Sequence, residues 1–227
     1  MATRTRRSDA LSRERIVDAA VEVLDASGES GLTFRVLTER LATGAGAIYW
    51  HVANRDELLG AATDGVVAAA LADRPSAGSP EEELRAVGLR LFDAIDDHPW
   101  LGTQLGVQMS RSPTGPTTPR LVEAFGRPIR DLGVPEPAWF TATTTVLSYV
   151  LGAAGQNAVN GRAGGGGLGR AEFLDATAAA WEALDEDGYP FVRRVARQMR
   201  GHDDQEQFLA GLDLVVGGIR AAHPPER

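Results

Sequence analysis

From residue 11 onward the chain repeats one rhythm, in which apolar side chains recur three and four positions apart between polar or glycine-containing breaks. Ile16, Ala19, Ala20, Val23 and Leu24 make the first stripe; Ser12 stands where a helix cap belongs, Leu11 and Ile16 are spaced as a hydrophobic staple, and the stripe ends before Gly28. A second, short helix is predicted from a Thr33 cap, with Val36, Leu37 and Leu41 on its buried face. The turn 42–44 follows, then a third helix over 45–51. After Asn54, another capping residue, Leu58, Leu59, Ala62, Val66 and Val67 predict a long helix at about 55–73.

Residues 74–80 carry breakers at both ends and lead into three glutamates, which suit the positive end of a helix dipole. Leu84, Val87, Leu91, Phe92 and Ile95 predict a helix ending at Asp97, and 99–109 continues helically. The Pro, Gly and Thr content of 112–119 reads as loop, followed by helices over 120–132, 137–159, 170–185 and 204–222. No segment alternates as a strand would. The expected fold is all-α: an N-terminal three-helix unit over 1–55 and a larger helical unit over 56–227, joined through the fourth helix.

Composition narrows the setting. The 227 residues are 43% hydrophobic, enough for a true core, and contain no cysteine, which removes disulfides and thiolate metal sites and fits a reducing, cytoplasmic compartment. Neither a secretory leader nor an apolar run of about eighteen residues is present, so neither secretion nor a membrane span is expected. A net charge of −8 argues against nucleic acid taken alone, but Arg4, Arg6, Arg7 and Arg13 face one acid, Asp9, in the first thirteen residues. That arm reads either as a solvated terminus or as a cationic arm on an acidic body. The absence of lysine, beside abundant Ala, Gly and Pro, reads as coding bias.

A short helix, a three-residue turn and a second short helix buttressed by a first is the outline of a helix-turn-helix, shared by many three-helix bundles. The run Ile48-Tyr49-Trp50-His51-Val52 raises its specificity by interleaving inward aliphatics with Tyr49, Trp50 and His51, whose polar tips suit phosphate. Each aromatic could equally serve the core. The stretch GLTFRVLTERLATGAGAIYWHVANRDELL resembles the tetracycline-repressor (TetR-type) family of transcriptional regulators, most specifically in Ile48–Leu59. Weaker likeness continues at 147–152 and 211–219, similar to the C-terminal domain of that family.

The resemblance implies a homodimer pairing through the helices at about 137–159 and 204–222, bound to a palindromic double-stranded DNA operator. It implies that Thr33 caps helix 2 onto a phosphate, that Arg35 reaches a guanine edge, and that Ala45 and Ala47 face the groove. Thr43 and Gly44 would stand at the turn beside the DNA, Tyr49, Trp50 and His51 on the backbone, and Arg55 on a phosphate at the start of helix 4. This chain departs from its relatives by carrying Gly44, Ala45, Gly46 and Ala47 where polar side chains are usual, leaving only methyl contacts to thymine. Arg35 is then the expected direct reader, with DNA shape and the arm supplying the rest.

For the C-terminal unit the resemblance implies a small-molecule inducer, partly apolar, acting by shifting helix 4. Candidate lining residues are Trp100, Gln104, Met109, Phe125, Ser148, Gln156, Asn157 and Trp181, each of which could instead be core or dimer packing. Tetracycline repressors hold a magnesium–drug chelate through His and Glu, and Ser148 and Gln156 stand at two of those places, so no metal and no cofactor is expected. His202-Asp203-Asp204 reads as a helix cap, and the glycines at 164–167 as a linker or a flap, since no Gly-Lys-Ser/Thr ending follows. No Ser/His/acid set and no Glu-x-x-His pair supports an enzyme. The expected function is a ligand-released repressor; the alternative is a helical small-molecule-binding module or enzyme without DNA function.

Overall fold

Side-chain caps set most of the helix starts in the N-terminal unit. In the computed structural model, which describes residues 11–73, 78–163 and 169–224, Ser12 accepts from the Arg15 amide at 3.2 Å and opens α1, Arg13–Gly31. Thr33 accepts from the Val36 amide at 3.2 Å and opens α2, Phe34–Arg40; Asn54 accepts from Glu57 at 2.8 Å and opens α4, Arg55–Ala70. Each such cap is worth about 1 kcal/mol. Between them, α3 covers only Ala45–Tyr49. It is shorter than the predicted 45–51, because the His51 amide turns back to the Ile48 carbonyl at 2.9 Å and closes the helix. The regular part of α1 ends at Gly28 as its stripe predicts: φ is +64° there, a conformation open to glycine, and a last kinked turn carries the chain to Gly31.

α5 (Pro80–Asp97), α6 (Leu101–Arg111), α7 (Thr117–Asp131), α8 (Trp139–Ala163) and α11 (Asp204–Ala222) pack around Leu91, Ile95, Leu105, Leu121, Phe125, Val146, Val150 and Leu212, all nearly or wholly out of water. The core is continuous with that of the N-terminal unit. α7 begins at Thr117, inside the stretch read as loop, since Thr117 and Leu121 are both buried. α8 and α11 approach closely: a Cβ at Gly211 would stand 2.1 Å from the Tyr149 hydroxyl, which donates to the Phe208 carbonyl at 2.8 Å. α9 (Arg170–Glu182) and α10 (Pro190–Val195), the latter with a 3-10 turn over Ala196–Met199, bury Leu174, Ala178 and Ala196 among themselves. Arg170 ties this appendage to Asp204 at 2.6 Å. α10 went unpredicted because its six residues carry no stripe. The arginines at 4, 6 and 7 and the glycines at 164–167 lie outside the described residues.

Candidate nucleic-acid interface and interdomain cleft

α2 and α3 meet across the turn at 41–44, where Ala42 takes a left-handed φ of +48° and the Thr43 amide reaches the Thr38 carbonyl at 3.1 Å. Ile48 and Val52 point into the core, at 0% and 1% exposure, as their spacing predicts. That burial turns the rest of α3 outward. Tyr49 is half exposed and lies flat on Phe34, with centroids 4.5 Å apart and planes 10° apart, while Trp50 is 87% exposed. The indole N–H of Trp50, with the phenol of Tyr49, is thus open to a partner outside the fold.

Gly44, Ala45, Gly46 and Ala47 are all exposed, and a Cβ built on Gly44 or Gly46 would meet nothing within 4 Å. The outward side of α3 is therefore flat backbone flanked by methyl groups. Arg35 projects from α2 beside it, its side chain 84% exposed and only loosely drawn to Glu39 at 4.0 Å. Thr43 and His51 are half-buried at the rim. Thr33, Arg35, Thr43, Gly44, Ala45, Ala47, Tyr49, Trp50 and His51 thus belong to one structural unit, α2 with its turn and α3.

Arg55 is directed elsewhere. Its guanidinium donates to the Glu29 carbonyl and, at 3.2 Å, to the Leu32 carbonyl, closing the C-terminal end of α1. The Glu29 carbonyl already accepts the Leu32 amide at 3.2 Å, and the half-buried cation adds a second bond to it and one to the Leu32 carbonyl. These bonds use two of the five guanidinium N–H donors and hold the side chain against the end of α1. Nearby, the Glu57 carboxylate accepts from the Ala53 amide at 2.9 Å and from Arg13 at 3.1 Å. That backbone bond first, and the arginine second, hold its carboxyl below the ordinary value of 4.5.

The two units are joined by contacts no local pattern announces. Asp25 on α1 accepts the indole N–H of Trp100 at 2.7 Å, and the same oxygen faces the His98 Nδ1 at 2.8 Å. Within the larger unit, Arg120 on α7 reaches Asp64 on α4, the helix that leads out of the N-terminal unit, at 3.3 Å. Between these ties a cleft of about 970 Å³ opens, with α1 and α4 on one side and α6 and the start of α7 on the other. Gln104, Gln108, Arg111 and Thr117 line the α6–α7 wall, and Gly60, Asp64 and Gly65 the α4 wall.

Of the residues predicted to line a ligand site, only Gln104 borders this or either of the two smaller hollows described for the molecule. Phe125 is wholly buried in the core, and Trp100 is spent on Asp25. Met109 is a half-buried packing residue of α6, and Trp181 sits half-buried on α9. Ser148 and Gln156 face outward from α8; Gln156 bonds Asn160 at 3.0 Å and Asn157 bonds Asp96 at 3.2 Å. The structure does not bring these eight together. Asp203 caps α11 by accepting from the Glu206 amide at 2.7 Å, with His202 3.2 Å from Asp204. Among the described residues no helix is long and apolar enough to cross a membrane.

Comparison with known proteins gives the same reading across both units. Residues 16–62 match the model of bacterial regulatory proteins of the tetR family, and residues 74–223 match that of the tetracyclin repressor-like C-terminal domain. The chain is 30% identical over 218 residues to the HTH-type transcriptional repressor DrrR1 of Streptomyces coeruleorubidus, covering 92% of this chain and 77% of that one. A solved TetR transcriptional regulator from Streptomyces coelicolor is 58% identical and superposes with a TM-score of 0.86, over 94% of this chain and all of that one. The TetR family protein ActR of the same organism, solved in complex with actinorhodin, is 25% identical with a TM-score of 0.78, over 95% and 99% of the two chains. With a helix-turn-helix whose aromatic corner is bared and a helical body behind it, this chain belongs to the tetracycline-repressor family of DNA-binding transcriptional repressors, which are transcription factors and not enzymes.

Proposed function

We propose that the protein acts in the cytoplasm as a homodimer that represses by gripping a roughly palindromic operator with two reading heads. A small molecule bound to the helical body releases it. The observation that carries this reading is the outward side of 33–51, where Trp50 stands 87% exposed beside a backbone surface without side chains. Such a surface lets α3 lie close to the base edges, with Thr33, Tyr49, Trp50 and His51 holding phosphates and Thr43 and Gly44 at the turn. Ala45 and Ala47 offer methyl contacts. Among the described residues, Arg35 is the long donor beside the groove-facing side that carries direct readout.

Support for the dimer comes from two adjacent faces. On α8, Thr141, Thr145, Ser148, Gly152, Gln156 and Val159 are exposed at helical spacing; on α11, Ala210, Leu214, Gly217 and Ala221 repeat the pattern, with Leu214 79% exposed. Small residues along both faces permit close packing of a second copy as a four-helix bundle. Release follows if the ligand prefers a head spacing that fits DNA poorly, with α4 as the connecting strut.

The test is a gel shift on DNA flanking the protein's own gene at rising salt. Specific retention at low salt that falls steeply is expected, and Arg35→Ala should cut the preference for that DNA over random sequence by at least tenfold, about 1.4 kcal/mol. Full discrimination by Arg35→Ala overturns the readout assignment. No retention at any salt favours a ligand-binding module without DNA function.

A further inference from the structure

The geometry points to the cleft between α1–α4 and α6–α7 as the seat of a cationic organic ligand: a protonated amine on a ring framework that also bears hydroxyl or carbonyl groups. This deepens the repressor reading and rests on its premise that a small molecule controls release.

The space comes first. At about 970 Å³ the cleft lies at the upper end of ordinary ligand sites. It stays open because α4 presents glycines there: a Cβ on Gly60 would already stand 3.5 Å from the Gln108 amide, so a longer side chain would fill the gap.

Two largely buried polar side chains on the α6–α7 wall then offer the cleft groups that no protein atom takes up. Gln104 is 3% exposed, lines the cleft, and makes no hydrogen bond among the described residues. Thr117, also 3% exposed, lines the same wall with its hydroxyl likewise unpartnered. The enclosed polar atoms without a partner among the described residues are the Thr118 hydroxyl and the Arg127 Nε, so the groups of Gln104 and Thr117 open onto the cleft, where water or a ligand satisfies them. An amide and a hydroxyl each donate and accept, so the complement is a ligand surface that does both. Gln108, half-buried beside them, adds a second amide.

Charge selects the sign. Glu14, Asp18, Glu29, Asp56, Glu57 and Asp64 line the cleft against Arg13, Arg55 and Arg111. Two of the three cations are already engaged, Arg13 with Glu57 and Arg55 with the carbonyls of α1. Asp18 and Asp56 form no ion pair among the described residues. A concave surface with surplus carboxylate concentrates cations and repels anions. The amine therefore sits toward α1 and α4, and the hydroxyl or carbonyl face toward Gln104 and Thr117. Because one wall belongs to the reading head and the other to the body, such an occupant fixes their separation.

The probe is neamine, a two-ring aminoglycoside core, titrated calorimetrically into the full-length protein at ~150 mM salt, where exposed charges are screened beyond about 8 Å. Fully N-acetylated neamine serves as its neutral counterpart. Neamine is expected to bind once per protomer, at least tenfold tighter than the acetylated form. Gln104→Leu should weaken it at least tenfold, and so should Asp18→Asn with Asp56→Asn, two exposed positions whose change leaves the fold intact. Asp93→Asn, outside the cleft, should leave binding as it is. Equal binding of the neutral form, no heat at millimolar neamine, or full affinity in both cleft variants overturns the assignment. Failure here with operator binding retained refutes the cleft alone; loss of operator binding by the unaltered protein refutes the repressor reading instead.

Discussion

A guanidinium at the start of α4 can hold a phosphate, close another helix, or do both, and Arg55 closes α1 through the carbonyls of Glu29 and Leu32. The two roles differ in what their loss does. Arg55→Ala should cost about 1–3 kcal/mol of stability, as lost charged hydrogen bonds do, read as a lower urea midpoint. The slope of log affinity against log salt should stay unchanged, whereas removal of a phosphate contact would reduce it by about 0.9. A lowered slope with unchanged stability would return Arg55 to the phosphate. Ala42 is the other residue whose identity opposes its conformation: a φ of +48° costs an alanine about 1 kcal/mol, held by the turn on either side.

At the scale of elements, the corner where α1 meets α4 is set by Glu57, bound to the Ala53 amide and Arg13. Because its carboxyl is held below 4.5 when folded, the stability it contributes is fully present above that pH and is lost as the pH falls through the lower, folded value. Glu57→Gln should therefore lower the thermal midpoint at pH 7 and flatten its decline below about pH 4.5; equal acid slopes in both proteins would remove Glu57 from that role. The side chain is partly in water, so the effect is modest. The caps at Ser12, Thr33 and Asn54 and the inward pair Ile48 and Val52 were legible in the sequence, because short-range spacing decides them, whereas the reach of Arg13 to Glu57 across 44 positions was not. What escaped was decided across distance. Trp100 reads as a pocket aromatic until Asp25, seventy-five positions earlier, is seen to hold its N–H. Gln104 reads as one polar residue among several until α4 is set opposite. No periodicity encodes which face of α6 meets α1.

In the proposed dimer, the acidic body and the paired heads do different work, and the pairing is what makes binding specific. Leu214 is the largest apolar side chain bared on α11. Leu214→Glu should leave the helical content unchanged by circular dichroism, convert the protein to a monomer in sedimentation velocity, and weaken operator binding at least tenfold, since one head alone lacks the contacts for a single genomic site. A dimer that survives the change would move the interface elsewhere. The open side of α3 carries a further consequence. A Cβ added at Gly44 or Gly46 meets nothing within 4 Å, so a base-reading group can start there from open space. Glycine codons lie one base change from arginine, serine and aspartate. On the proposed mode of binding, duplicates of this gene could therefore acquire distinct operators in single mutational steps, with the helical scaffold inherited whole.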